Sequence, residues 1–377
     1  MNFAFTEEQQ ELRAAARAFL AEVSSSERVR AAMASELGYD PEVWKRIGSE
    51  LGWPAAIVPE AYGGLGLGAV ELVALAESMG ESLLCSPFFA TVCLAAQAVL
   101  AAGSEEQKQR YLAPIAEGQA RAALATAEPG LAHDEVALEA RRDGDGYRLD
   151  GVKRFVIDGH SAEWLVVSAR ASRTRGDDGV SLFAVPGDSA GLERRALPTM
   201  DMTRRQAELR FAAVRVPASA RLGEEGAGAP ALRRSLDLGA IALAAESVGG
   251  AQRCLDLAVA YAKEREQFGR PIGSFQAIKH KCADMMVKVE TARSAAYYAA
   301  CAAAEQAGDL SVAASLAKAY CSEAYYHCAA ETIQIFGGVG FTWEYDPHLY
   351  FKRARASESL LGTPAWHRER VARAIGL

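Results

Sequence analysis

With 377 residues the chain is long enough for two or three domains of ordinary size, and at 50% hydrophobic and 24% charged residues it can bury sizeable cores. A formal net charge of −7 argues against a phosphate backbone held by bulk electrostatics, so no nucleic-acid partner is expected. Seven cysteines, at positions 85, 93, 254, 282, 301, 321 and 328, form no C-x-x-C pair, and the six histidines have no metal-ligand spacing. Reduced core thiols, a cytoplasmic protein and no metal site are expected.

In chain order, the opening MNFAFTEEQQELR lacks a basic-then-apolar run, which predicts no export. Residues 1 to about 119 read as helices. Thr6 with Gln9, and Ser104 with Gln107, fit the capping box, in which a hydroxyl and a side-chain amide satisfy the first turn's free N–H groups reciprocally. Between them, VPEAYGGLGLGAVELVALAESMG is a glycine-rich connection running into a helix. The longest uncharged stretch, Phe88 to Gly103, is short for a bilayer and contains Gln97; it predicts a buried helix and no membrane insertion.

From about Arg121 to Val216 the pattern alternates. YRLDGVKRFVIDG, EWLVVSAR, VSLFAVPG and AELRFAAVRV are short β-favouring runs separated by Gly, Asp and Pro, with DGDG at Asp143 to Gly146 as a turn. From about Pro230 the chain is helical again. Leu232 to Phe268 and Ser274 to Gln306 have apolar spacings of three and four, and Gly249, Gly250, Ala295 and Ala296 permit close helix approach. The fold class expected is α+β: an N-terminal helical domain (1–120), a middle β-barrel or sandwich domain (121–225) and a C-terminal four-helix bundle (226–377).

Two stretches in the last segment carry chemistry. In YAKEREQFGRPIGSFQAIKHKCADM, starting at Tyr261, a helix is expected to run through Arg265 to a stop at Gly269 and Pro271, with a second helix from near Ser274. This places Arg265 and Phe268 on neighbouring turns before the break and Gln276 just after it. An Arg fork, an aromatic face and an amide suit a phosphate and a ring, although a helical hairpin with Arg265 ion-paired to a nearby glutamate is the plain alternative. In QIFGGVG, from Gln334 to Gly340, a helix meets glycines whose N–H groups would approach an anion closely.

In residues, order and spacing these two stretches resemble the C-terminal half of the acyl-CoA dehydrogenase family, and the resemblance extends over the whole chain. It implies FAD as cofactor, an acyl-CoA thioester as substrate, electron-transfer flavoprotein or a similar electron acceptor, and α,β-desaturation with a glutamate as base. In that family each FAD lies across a dimer interface, one subunit holding the isoalloxazine ring and its neighbour the diphosphate and adenosine. Arg265, Phe268, Gln276, Gln334, Gly337 and Gly338 match the neighbour's grip, and Thr363 matches a further position near the cofactor.

The ring-holding and catalytic positions depart from the pattern. The family's T-E-P-G-x-G-S-D loop reads AEPGLAHD here, with Ala127 and His133 in place of the flavin-contacting Thr and Ser. Its W-I-T segment reads Phe155, Val156, Ile157; Phe155 can still flank a ring, but Ile157 offers no hydrogen bond. The base position before Gly362 and Thr363 is Leu361, and the alternative position on the first bundle helix is Gly239, followed by Ala240. No catalytic residue is assigned. Glu358 is the first candidate for a displaced base, with a solvated or paired carboxylate as its plain reading, and His133 reads as surface or structural.

The leading expectation is therefore a non-catalytic subunit completing the FAD site of a homologous partner in a hetero-oligomer, as in bacterial systems that shorten steroid side chains. A self-sufficient homotetramer with a displaced base, and a flavin-free acyl-CoA binding or scaffolding protein, are the alternatives.

Overall fold

The computed structural model describes residues 6–132, 135–305 and 308–377. His133 lies outside the described residues. Six helices come first: α1 (Glu7–Val23), α2 (Ser26–Ala34), α3 (Pro41–Ser49), α4 (Ala69–Glu81), α5 (Gln97–Ala102) and α6 (Glu105–Ala116). Strands β1 (Ala122–Ala125), β2 (Glu139–Asp143), β3 (Gly146–Ile157), β4 (Trp164–Ala171), β5 (Val180–Pro186), β6 (Leu192–Ala196), β7 (Gln206–Pro217) and β8 (Arg221–Leu222) follow. Helix α7 (Ala229–Glu264), the short strands β9 (Glu266–Gln267) and β10 (Arg270–Pro271), and helices α8 (Gln276–Ala304), α9 (Leu310–Phe336), α10 (Pro347–Ser359) and α11 (Pro364–Ala374) complete the chain. No helix among the described residues is long and apolar enough to cross a membrane.

Both expected capping boxes form, each with its reciprocal pair of bonds. The uncharged stretch is buried as expected, but its first part, Phe89–Ala96, is a wide π-type turn that passes into α5.

Residue contacts divide the chain into two compact units that do not follow chain order. The first takes the segment up to Ala34, Ala69–Cys85 and Ala240–Leu377; the second takes Ser35–Gly68 and Ser86–Gly239. In the first unit the long helices come close because small residues let them. A Cβ on Gly249 of α7 would stand 1.8 Å from the Glu77 carbonyl of α4, and one on Gly250 would stand 2.3 Å from the Tyr325 ring of α9. Glu77, itself buried, accepts from Arg13 of α1 and, at 3.2 Å, from Arg293 of α8, so a paired charge joins three helices.

The second unit is built on one mixed sheet of order β6-β7-β3-β2-β4-β5-β8, with β1 added parallel to β4. The Asp143 to Gly146 turn forms as read, closing the β2–β3 hairpin with Gly144 at φ 62°. Strict alternation fails in β3. The β3–β7 register shifts between Lys153 and Val156, so Val156 and Ile157 are both buried. The bulge carries Phe155 at φ 58°, half exposed at 49%.

Candidate functional site

In the first unit, the stretch after α7 differs from its expected form. The helix ends at Glu264, before Gly269 is reached, and residues 266–271 fold back as a two-stranded hairpin with Gln267 opposite Arg270. Phe268 and Gly269 are its two-residue turn, at φ 54° and 73°. Positive φ at both centres is the twist-matched hairpin turn, a geometry glycine accepts readily and phenylalanine only at a cost. Arg265 and Phe268 are thus not on successive helical turns. Arg265 is the residue just beyond the helix, its N–H donating to the Tyr261 carbonyl at 2.8 Å and its own carbonyl accepting from Ile272 at 2.8 Å. Phe268 is the hairpin tip, 91% exposed.

The side chains this hairpin presents are unspent. Among the described residues the Arg265 guanidinium has no ion-pair or hydrogen-bond partner, so the glutamate pairing that was the plain alternative is not made. Phe268 touches Phe275 edge-on at 6.1 Å, and Arg270 lies over the Phe275 ring at 4.2 Å, which braces the tip from below. Gln276 opens α8, exposed, with its amide 3.4 Å from the His280 ring.

The second stretch lies beside the first. Tyr261, one turn before Arg265, stacks on Phe336, the last residue of α9, at 4.1 Å and 13°. Phe336 in turn meets Tyr345 edge-on at 5.8 Å. This stack, which the sequence reading missed, brings the root of the hairpin against the start of the glycine cluster. Gln334, Gly337 and Gly338 are exposed there, Gly337 at φ 66°, and a Cβ on either glycine would meet nothing within 4 Å. The backbone is open to an approaching group.

At position 361 and its alternative on α7 the chain carries no acid, and Glu358 is paired. Leu361 sits at φ 56° and Gly362 at φ 106°, just past the end of α10. Thr363 caps α11, its hydroxyl accepting from the Trp366 N–H at 3.3 Å. The Glu358 carboxylate is bound by Arg355 one turn away, the paired state rather than that of a poised base. Gly239 and Ala240 are buried in α7 and carry no acid.

In the second unit, the AEPG loop after β1 is fixed by a buried pair. Lys153 of β3 donates to Glu128 at 2.6 Å, to Ser168 at 3.0 Å and to the Thr126 carbonyl at 3.1 Å. Burial lowers the Lys153 ammonium to about 8, against the attraction of Glu128. Glu128 also accepts from the N–H groups of Ala137 and Leu138. Arg154 N–H donates to the Ala127 carbonyl at 2.8 Å, so Ala127 lies next to the Phe155 bulge, and Arg154 stands 5.2 Å over the Phe155 ring. Ile157 is buried, with only hydrocarbon to offer. No metal-binding cluster exists among the described residues.

Family models match end to end: acyl-CoA dehydrogenase N-terminal domain over residues 6–119, middle domain over 123–214 and C-terminal domain over 226–376. Acyl-CoA dehydrogenase IpdE2 of Mycolicibacterium smegmatis is 37% identical over 95% of this chain and 96% of its own length. Among solved structures, the ChsE4–ChsE5 complex from Mycobacterium tuberculosis superposes with a TM-score of 0.90 at 29% identity, covering 100% of this chain and 99% of that one. The Tcur3481–Tcur3483 steroid ACAD matches with a TM-score of 0.88 at 33% identity over 98% of each chain. With its helical, β and helical segments in this order, the chain belongs to the acyl-CoA dehydrogenase family of FAD-dependent oxidoreductases.

Proposed function

We propose that this protein is the non-catalytic subunit of a two-component acyl-CoA dehydrogenase, lending Arg265, Phe268, Gln276, Gln334, Gly337 and Gly338 to the FAD of a homologous partner that owns the base. The observation that carries the reading is the contrast between two sets of residues. The hairpin and glycine cluster stand ready and unpartnered, whereas position 361 is leucine and Glu358 is committed to Arg355. A homo-oligomer would need both sets in every chain.

The residues present suit the nucleotide part of FAD. An exposed guanidinium with no partner fits a diphosphate, an exposed aromatic tip fits a ring face, and a glycine pair without obstruction lets backbone N–H groups reach an anion. The chemistry supplied by bound FAD is acceptance of a hydride from the acyl β-carbon. This chain's part is binding: Arg265 neutralises, Phe268 covers, and Gln276 and Gln334 offer amide donors and acceptors. In the second unit, Phe155 remains able to flank a ring while Ala127 and Ile157 withdraw its hydrogen bonds.

Two of the matched structures are named as paired proteins, and one is named as a steroid ACAD. These support a hetero-oligomer and, as substrate class, a steroid-derived acyl-CoA, with electron-transfer flavoprotein or a similar carrier as acceptor. The test is to purify the chain alone and after co-expression with a homologue encoded beside it, then measure flavin absorbance and its bleaching by acyl-CoA. Flavin and turnover only with the partner are expected. Turnover by the chain alone would establish a self-sufficient enzyme, and thioester binding without flavin in either sample would establish a flavin-free binding protein.

A further inference from the structure

The turn after α10 is held in an unusual way. Leu361 is a branched residue in the left-handed region, and Gly362 cannot be replaced without collision, since a Cβ there would lie 2.6 Å from the Trp366 ring and 2.9 Å from the His367 ring. Left-handed backbone at a non-glycine residue persists only where the surroundings over-determine it. One bond comes from α11, where the His367 ring donates from Nε2 to the Leu361 carbonyl at 3.0 Å. The others come from Lys318 of α9.

The Lys318 side chain is fully buried, and its Nζ donates to the carbonyls of Glu358 at 3.3 Å and Gly362 at 3.1 Å. These carbonyls stand on either side of Leu361. Glu358 lies in the last turn of α10, whose terminal carbonyls have no partners within the helix and favour a cation. The acidic groups that face Lys318 are Glu358 from α10, with Glu323 and the Cys321 thiol from its own helix. Glu358 is bound by Arg355 and Glu323 by Arg368. Among the described residues Lys318 makes no ion pair of its own, and burial draws its ammonium down to about 8. A buried ammonium without a carboxylate is an expensive choice for filling space, which methionine would do at no electrostatic cost.

We propose that Lys318 is a positioning residue: its ammonium, bonded to backbone on both sides of Leu361, holds this turn in its left-handed form and thereby fixes the direction in which the side chain at position 361 and the capping Thr363 are presented. The inference rests on the proposed function only in tying positions 361 and 363 to the cofactor end.

The test is Lys318→Met in the full-length chain, followed by amide hydrogen exchange of the segment 360–367 and by thermal unfolding. Exchange of 360–367 at least tenfold faster than in the wild type, with the α9 amides unchanged and Tm not lowered, is the expected result. Unchanged exchange in 360–367 would overturn the proposal, and so would a loss of protection shared by the whole bundle together with a lower Tm. Should the methionine variant fail to fold, Lys318→Gln removes the charge while keeping a donor; wild-type exchange in 360–367 of that variant would equally rule out the ammonium as the holder. Neither flavin nor a partner enters the measurement, so its failure would leave the functional reading standing.

Discussion

At the scale of single residues, the positions that matter are those at which backbone or charge sits where it is expensive. Phe155, Phe268 and Leu361 all have positive φ without being glycine, and all three lie at positions that the proposed function ties to ring, nucleotide or base. Strain of on the order of 1–3 kcal/mol per residue is retained where the surroundings enforce it. Lys318 gives a pH-dependent consequence. Its ammonium titrates at about 8 in the folded chain, below the roughly 10.4 of an unfolded lysine. Between those values the unfolded chain binds more protons, so this group's contribution to stability rises with pH through that window, and below pH 8 its cost is constant. Burial raises the Cys321 thiol and the Tyr350 hydroxyl, which act in the opposite sense, so the effect is isolated by comparison with Lys318→Met. The stability difference between the two proteins, measured by urea unfolding, should shift in favour of the wild type by about 2 kcal/mol between pH 7.5 and 10. A difference that does not vary with pH would mean that Lys318 is not buried as a charge.

At the scale of elements, the hairpin Glu266–Pro271 sets binding against stability. Asparagine tolerates the left-handed region far better than phenylalanine. Phe268→Asn is therefore expected to leave Tm unchanged or raise it slightly, while the flavin content of the co-purified complex falls several-fold; retention of full flavin would remove Phe268 from the grip. The helix crossing at Gly249 has no such slack. Gly249→Ala sets a methyl 1.8 Å from the Glu77 carbonyl, and the helices must part, at a cost of about 1–3 kcal/mol in urea unfolding.

These elements also show what could be read from residues and what could not. Thr6 with Gln9 and Ser104 with Gln107 announce their helix starts because the capping signal is local. The close approach at Gly249 and Gly250 was legible because small residues on a long helix have few other uses. The hairpin was not: Gly269 followed by Pro271 also describes a helix stop, and the residue that decides between them is a phenylalanine in a conformation its type disfavours. The bulge at Phe155 was missed for the same reason. Strain imposed by tertiary contacts has no local signature, so the sequence reading went wrong at the hairpin and the bulge, the parts that the proposed function sets against the cofactor. The Tyr261–Phe336 stack joins residues 75 positions apart and the two Lys318 bonds join residues 40 and 44 apart, a coupling that periodicity does not carry.

At the scale of the molecule, the proposed function takes one half of a cofactor site as kept and the other half as altered, a division that suits an assembly with a different subunit. The hairpin tip is exposed, the Arg265 guanidinium is unpartnered among the described residues and the glycines are open, while position 361 is leucine and Glu358 is bound by Arg355. The measurement that tests this most directly is the flavin content of the co-purified complex, wild type against Arg265→Ala in this chain alone. The account predicts that the substitution lowers bound FAD at least tenfold at low flavin concentration while the two subunits still co-purify. Full flavin occupancy in the Arg265→Ala complex would contradict it.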